Sequence, residues 1–201
     1  MARAPSLSPS AAALRASVFA ELAPLVEAHV RGGGALVPLH IGDTCLSPPS
    51  GARLGEVAAG CDDALLHRYG PIAGDTLLMD AVLASLARRA RPFASVTARH
   101  VLIGGGATHA LFCAARAMFE PGDEVLVVSP YWPLAVGVLR AAGAVPVEVP
   151  MPAARAAGIE GALEAAIGPR TRGVYFISPN NPDGTVWSHA ELAALAAVAE
   201  R

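Results

Sequence analysis

Three short stretches carry the residue types best suited to holding a ligand. The first is Ser178-Pro179-Asn180-Asn181-Pro182-Asp183-Gly184, which follows the apolar run Gly173–Ile177. Two X-Pro bonds and a glycine within seven residues make a stiff loop at the end of a strand, and ligands of α/β sheets sit at that end. The Asn181 amide can donate to a phenolic oxygen while the prolines fix its direction; an Asn before Pro is also simply a good turn former. The second stretch is Gly104-Gly105-Gly106, between Val101-Leu102-Ile103 and a helical pattern that opens with Ala107, Thr108 and His109. A helix N-terminus offers unpaired N–H groups and partial positive charge to a phosphate, and the Thr108 hydroxyl adds a donor. Taken alone it reads more simply as an ordinary βα turn, since glycine-rich βα turns are common. The third is Ser129-Pro130-Tyr131-Trp132-Pro133. Its adjacent aromatics give either a flat face for a planar ring or packing for the loop. Tyr69, before Gly70-Pro71-Ile72-Ala73-Gly74, can reach an anion with its hydroxyl or pack a turn.

Other chemistries find less support. A dinucleotide fingerprint needs a glycine where His109 stands, and a P-loop needs Gly-Lys. There is no Gly-x-Ser-x-Gly elbow, and Asp43 and Glu56 form no defensible carboxylate pair. The six histidines do not cluster, so no metal site is expected. Cys45, Cys61 and Cys113 are odd in number and lack ligand spacing. They suit a reducing, cytoplasmic setting, with Cys113 expected as a small core residue. Net charge is −2 with no basic stripe, which argues against nucleic acid. Val125–Leu139 is too short for a membrane span and holds two prolines. All 15 basic residues are arginine, so the chain contains no lysine.

The elements that must position these residues follow from periodicity. Apolar residues from Leu14 to Val30 predict an amphipathic helix over 14–31, with Pro24 inside and Gly32-Gly33-Gly34 ending it. A short strand is expected at 36–41, a loop at 42–51 and weak helicity over 52–67. Asp75 should cap a helix with Leu77, Leu78, Val82, Leu83 and Leu86 on one face and Arg88, Arg89 and Arg91 near its end. From residue 100 the rhythm alternates. Buried strands are expected at 101–103, 125–128, 145–149 and 173–177, and helices at 107–119, 132–142 and 160–167. Ser188-His189-Ala190-Glu191 is a capping box opening a helix to Arg201. Such alternation implies a mostly parallel sheet.

These pieces together resemble a class I/II aminotransferase of pyridoxal-phosphate (PLP) fold type I. Leu39-His40-Ile41-Gly42-Asp43 resembles the family's Leu-x-x-Gly-Glu/Asp segment, and Tyr69 to Gly74 its Tyr-x-x-x-x-Gly. Pro121-Gly122-Asp123-Glu124-Val125 matches its strand entry, and Asn181-Pro182-Asp183-Gly184 its Asn-Pro-Thr-Gly. The resemblance runs from about residue 36 to the end. It implies an α/β fold: part of a three-layer α/β/α large domain at 51–201, preceded over 1–50 by an N-terminal helical arm and a short small-domain strand. It assigns Ala107 and Thr108 to the cofactor phosphate, Trp132 to stacking on the pyridine ring and Asn181 to the phenolic oxygen. Tyr69 would reach the phosphate of the neighbouring subunit, and Gly42 would lie near the substrate carboxylate. His109 beside the cradle and Asp183 in place of Thr depart from the pattern.

The implied activity is PLP-dependent exchange of an amino group between an amino acid and a 2-oxo acid, in a cytoplasmic homodimer that uses neither nucleic acid nor membrane. The family's Schiff-base lysine and ring-nitrogen aspartate have no counterpart here, so the resemblance covers the cofactor-recognition half, and the chain alone is expected to be inactive. Alternatives are an inactive fragment acting by association and another fold type I enzyme of the C–S lyase or cyclopropane-forming synthase kind. An unrelated α/β nucleotide-binding module is a further one. In the family's sheet the first strand is separated from the fourth by three that follow in sequence. Strand 101–104 is therefore expected to lose its neighbours, leaving the chain aggregation-prone or rearranged with 101–104 beside 173–177.

Overall fold

The computed structural model describes residues 7–12, 14, 16–39, 42, 46–62, 64, 67–89 and 95–201. His40, Ile41, Asp43, Cys45 and Arg91 lie outside the described residues. In chain order the helices before the sheet are α1 (Pro9–Ala12), α2 (Val18–Arg31), α3 (Leu54–Ala59), α4 (Thr76–Arg89) and α5 (Ala107–Met118). Then come β1 (Glu124–Ser129), α6 (Leu134–Ala141), β2 (Val145–Pro150), α7 (Met151–Ala157), α8 (Ile159–Ala166), β3 (Thr171–Tyr175) and α9 (His189–Ala199). The chain forms two compact units, one of Met1–Gly32 with Gly105–Arg201, the other of Gly33–Gly104.

In the first unit three parallel strands lie in the order β2-β1-β3, with Leu126 opposite both Val147 and Val174. β1 is central, and a central parallel strand is covered on both faces, which is why it reads as an unbroken apolar run. Alternate side chains enter two cores. Leu126 and Val128 pack with Val149, Leu163, Trp187 and Val198, beneath α7, α8 and α9. Val125 and Val127 pack with Ala115, Leu139, Ala142 and Ala144, beneath α5 and α6. The result is the α/β/α layering the alternation predicted. Leu126, Val127 and Leu139 are at most 1% exposed, and each such side chain stabilises the fold by about 1.5–3 kcal/mol.

The helix starts have local causes. The Ser17 Oγ accepts the Ala20 N–H at 3.2 Å, so α2 begins at Val18 and not at residue 14. The capping box of α9 is complete: the Glu191 N–H donates to Ser188 Oγ at 3.2 Å, and the Ser188 N–H to Glu191 Oε2 at 2.7 Å. Arg155 of α7 donates to the same carboxylate from Nε at 2.6 Å, tying α7 to α9. α7 itself was not anticipated; its signal is proline in the first turn.

In the second unit the Asp75 Oδ1 caps α4 through the Leu78 N–H at 3.0 Å. Within α4, Val82, Leu83 and Leu86 are half-buried, Leu77 and Leu78 exposed, and Met79 buried. Gly74, the last residue of the Tyr-x-x-x-x-Gly motif, has φ +114°, and a Cβ there would collide with the Ile103 side chain.

Four expectations are corrected. Residues 101–104 form no strand: Leu102 is 68% exposed, and the Ile103 N–H donates to Ala73 O at 2.9 Å. Nor do they lie beside 173–177, since among the described residues β3 pairs with β1 alone. Residues 36–39 are not a strand, because no partner among the described residues pairs with them. The helix expected over 52–67 is interrupted: α3 ends at Gly60, and Ala64 is again helical, with residues 63, 65 and 66 outside the described residues. Cys113 is exposed, not core, because the inner face of α5 is carried by Ala115.

Candidate functional site

Parallel neighbours send their following loops out at the same end of the sheet. β1 leads into Pro130–Pro133 and β3 into residues 176–184, side by side at the carboxyl edge. Asn180 joins them: its Nδ2 donates to Pro130 O at 2.8 Å and to Asp183 Oδ1 at 2.8 Å. Asp183 Oδ1 also accepts the Thr185 N–H at 3.0 Å. The main chain closes the turn through Asn180 N–H to Thr185 O at 2.7 Å and Gly184 N–H to Asn180 O at 2.9 Å. Donation from the Thr185 amide, then from Asn180, holds the Asp183 carboxyl below the usual carboxylate range. Below the loop, the Trp187 N–H donates to Ser178 Oγ at 3.1 Å, and its buried ring packs on Phe176 with centroids 5.0 Å apart. Asn181 is exposed, and among the described residues its amide engages no partner.

At the start of α5, Gly106 adopts φ +89°, a region open to glycine. The first helical bond runs from the Ala110 N–H to Gly106 O at 3.0 Å. The amides of Ala107 and Thr108 therefore have no helical acceptor, and the Thr108 hydroxyl has no partner among the described residues. The Gly105 N–H is taken: it donates to His109 Nδ1 at 2.9 Å, while His109 Nε2 lies 3.4 Å from Cys113 Sγ. With Nδ1 accepting, the imidazole hydrogen sits on Nε2, facing the sulfur.

Thr108 and His109 share a cleft of ≈ 1160 Å³ with Ser129, Pro130 and Tyr131. The cleft thus joins the start of α5 and the β1 loop, and the loop carrying Asn181 is pinned to Pro130. Trp132 is half-buried and off the cleft wall, where Tyr131 stands instead. Tyr69, fully exposed, and Gly42 belong to the second unit. Reasoning from sequence missed Asn180, Asp183 and His109 as bonded parts of the site. Asp183 two residues before Thr185 carried the signal of an Asx turn. Among the described residues, no group of three His, Cys, Asp or Glu is placed to hold a metal ion, and no helix is long and apolar enough to cross a membrane.

Residues 51–201 match the family model for aminotransferase class I and II. The chain is 40% identical over 133 residues to a probable aspartate/prephenate aminotransferase of Thermus aquaticus, covering 66% of this chain and 34% of that protein. It is 36% identical over 136 residues to a probable aspartate aminotransferase of Streptomyces griseus, covering 67% of this chain and 62% of that one. A double mutant of Thermus thermophilus aspartate aminotransferase superposes with TM-score 0.81 at 32% identity, over 98% of this chain and 50% of the other. The Rhizobium meliloti aspartate aminotransferase gives 0.80 at 26%, over 96% and 48%. The chain thus spans about half the length of these solved relatives. Family match, sheet layering and shared geometry agree: this chain belongs to the aminotransferase class I and II family.

Proposed function

We propose that these residues form the cofactor-recognition part of a PLP-dependent aminotransferase that moves an amino group between an amino acid and a 2-oxo acid. The observation that carries this is the donor set. The amides of Ala107 and Thr108 are unclaimed at the start of α5, and Thr108 lines the cleft that the β1 loop completes. Such a set fits a phosphate dianion, which the α5 N-terminus further favours. The unengaged Asn181 amide suits the phenolic oxygen of a hydroxypyridine. Trp132, next to the cleft-lining Tyr131, would stack on the ring once turned into the cleft, Tyr69 would reach the phosphate of a neighbouring copy in a homodimer, and Gly42 would lie near the substrate carboxylate. Residues 51–201 carry the cofactor half and residues 1–50 an arm with a small-domain element. The setting is cytoplasmic.

PLP, when bound, supplies an electron sink for the amino acid's Cα. What this chain's residues contribute is binding and orientation. An imine needs an unprotonated amine, and arginine stays protonated. With no lysine among the 201 residues, these residues recognise the cofactor but cannot by themselves complete the exchange.

The test is a titration of the chain with pyridoxine 5′-phosphate, which lacks the aldehyde and so cannot react with the α-amino group. Saturable binding, competed by inorganic phosphate and weakened in Thr108→Ala, is expected, with no transamination. Equal retention of ATP, or no binding of the vitamin phosphate, would overturn the reading.

A further inference from the structure

The loop carrying Asn181 is held by bonds that the family pattern does not require. Both hydrogens on the Asn180 amide nitrogen are committed, one to Pro130 O and one to Asp183 Oδ1, each at 2.8 Å. The same Asp183 oxygen receives the Thr185 N–H at 3.0 Å. Asn181 therefore stands between a residue pinned to the neighbouring loop and one that braces the far side of the turn. Pro130 in turn lines the cleft with Thr108.

We infer that Asn180 and Asp183 are positioning residues, a clasp that fixes the Asn181 donor relative to the β1 loop so that it meets the phenolic oxygen of a phosphorylated hydroxypyridine. The inference rests on the cofactor reading above. The clasp works by geometry. A donor already held in place binds without the entropy cost of ordering it during association. The carboxylate acts as a double acceptor, a role an amide oxygen can fill at the same position. An alanine cannot, and it releases one Asn180 N–H to swing.

The experiment is a double-mutant cycle on the full chain, read by calorimetric titration with pyridoxine 5′-phosphate. Asp183→Ala is expected to weaken binding about threefold to tenfold, and Asp183→Asn by less than about twofold. Asn181→Ala combined with Asp183→Ala should bind no more weakly than Asn181→Ala alone, because Asp183 acts through Asn181. Without ligand, the Asn180 side-chain amide protons should exchange slowly in the wild type and in Asp183→Asn, and faster in Asp183→Ala. Additive losses in the cycle, wild-type affinity in Asp183→Ala, or Asp183→Asn binding as weakly as Asp183→Ala would each overturn the clasp. If the wild type binds and the cycle is additive, the clasp alone falls. If the wild type does not bind while Asn180 stays protected, the cofactor reading falls and the inference with it.

Discussion

His109 shows how a residue that departs from a family pattern can still belong to the site. A histidine beside the proposed phosphate cradle suggests a cation for the anion, yet here its Nδ1 is an acceptor that occupies the Gly105 N–H. Its replacement by leucine leaves that amide to water, at a cost of about 1 kcal/mol. His109→Gln keeps an acceptor at the same place. We expect His109→Leu to lower the melting temperature and to weaken pyridoxine 5′-phosphate binding, and His109→Gln to restore most of both. Thermal melts and titrations of the two variants check it, and equal losses would refute the acceptor role. At this scale the sequence was informative about Asn181, whose neighbours announce its turn. It was silent about Asn180, because the acceptor Pro130 lies fifty residues away.

Among the elements, β1 and α9 were the most legible. β1 is an apolar run between charged and loop residues, and its centre Leu126 is 0% exposed. Leu126→Ala should cost about 2–5 kcal/mol, seen as a lower urea midpoint in circular dichroism. α9 declares its start through Ser188 and Glu191, but not its tie to α7. Donation from Arg155, then from Ser188, brings the Glu191 carboxyl down to about 2. A carboxyl lowered in the folded state adds stability that is present above its unfolded value and lost as pH falls through the folded one. Stability should therefore decline on acidification from 4.5, the ordinary glutamate value, to about 2. Glu191→Gln should flatten that part of the urea-midpoint profile; an unchanged slope would show that the bridge carries none of it. Elements whose existence depends on a partner were misread. Residues 36–39 and 101–103 have strand composition but pair with no strand among the described residues.

At the scale of the whole molecule, the consequence is exposed apolar surface. Leu39 is 90% exposed, Ile72 100% and Leu102 68%. Apolar side chains left in water favour self-association. The 201-residue chain should scatter more light with rising concentration, and Leu102→Asp should reduce that scattering while leaving far-UV circular dichroism unchanged. Scattering that ignores the substitution would place the sticky surface elsewhere. By itself the sequence determined what depends on near neighbours: the α/β alternation from residue 107 onward, the turns with their prolines and glycines, the α9 cap and the family motifs. Periodicity and capping are written within a few residues, so they can be read without coordinates. The tertiary structure decided which strands find edges, which helix faces are covered, and that His109, Asn180 and Asp183 spend their polar groups inside the site. Those outcomes depend on partners distant in sequence. β1 has both edges filled by β2 and β3, and residues 101–104 pair with no strand among the described residues.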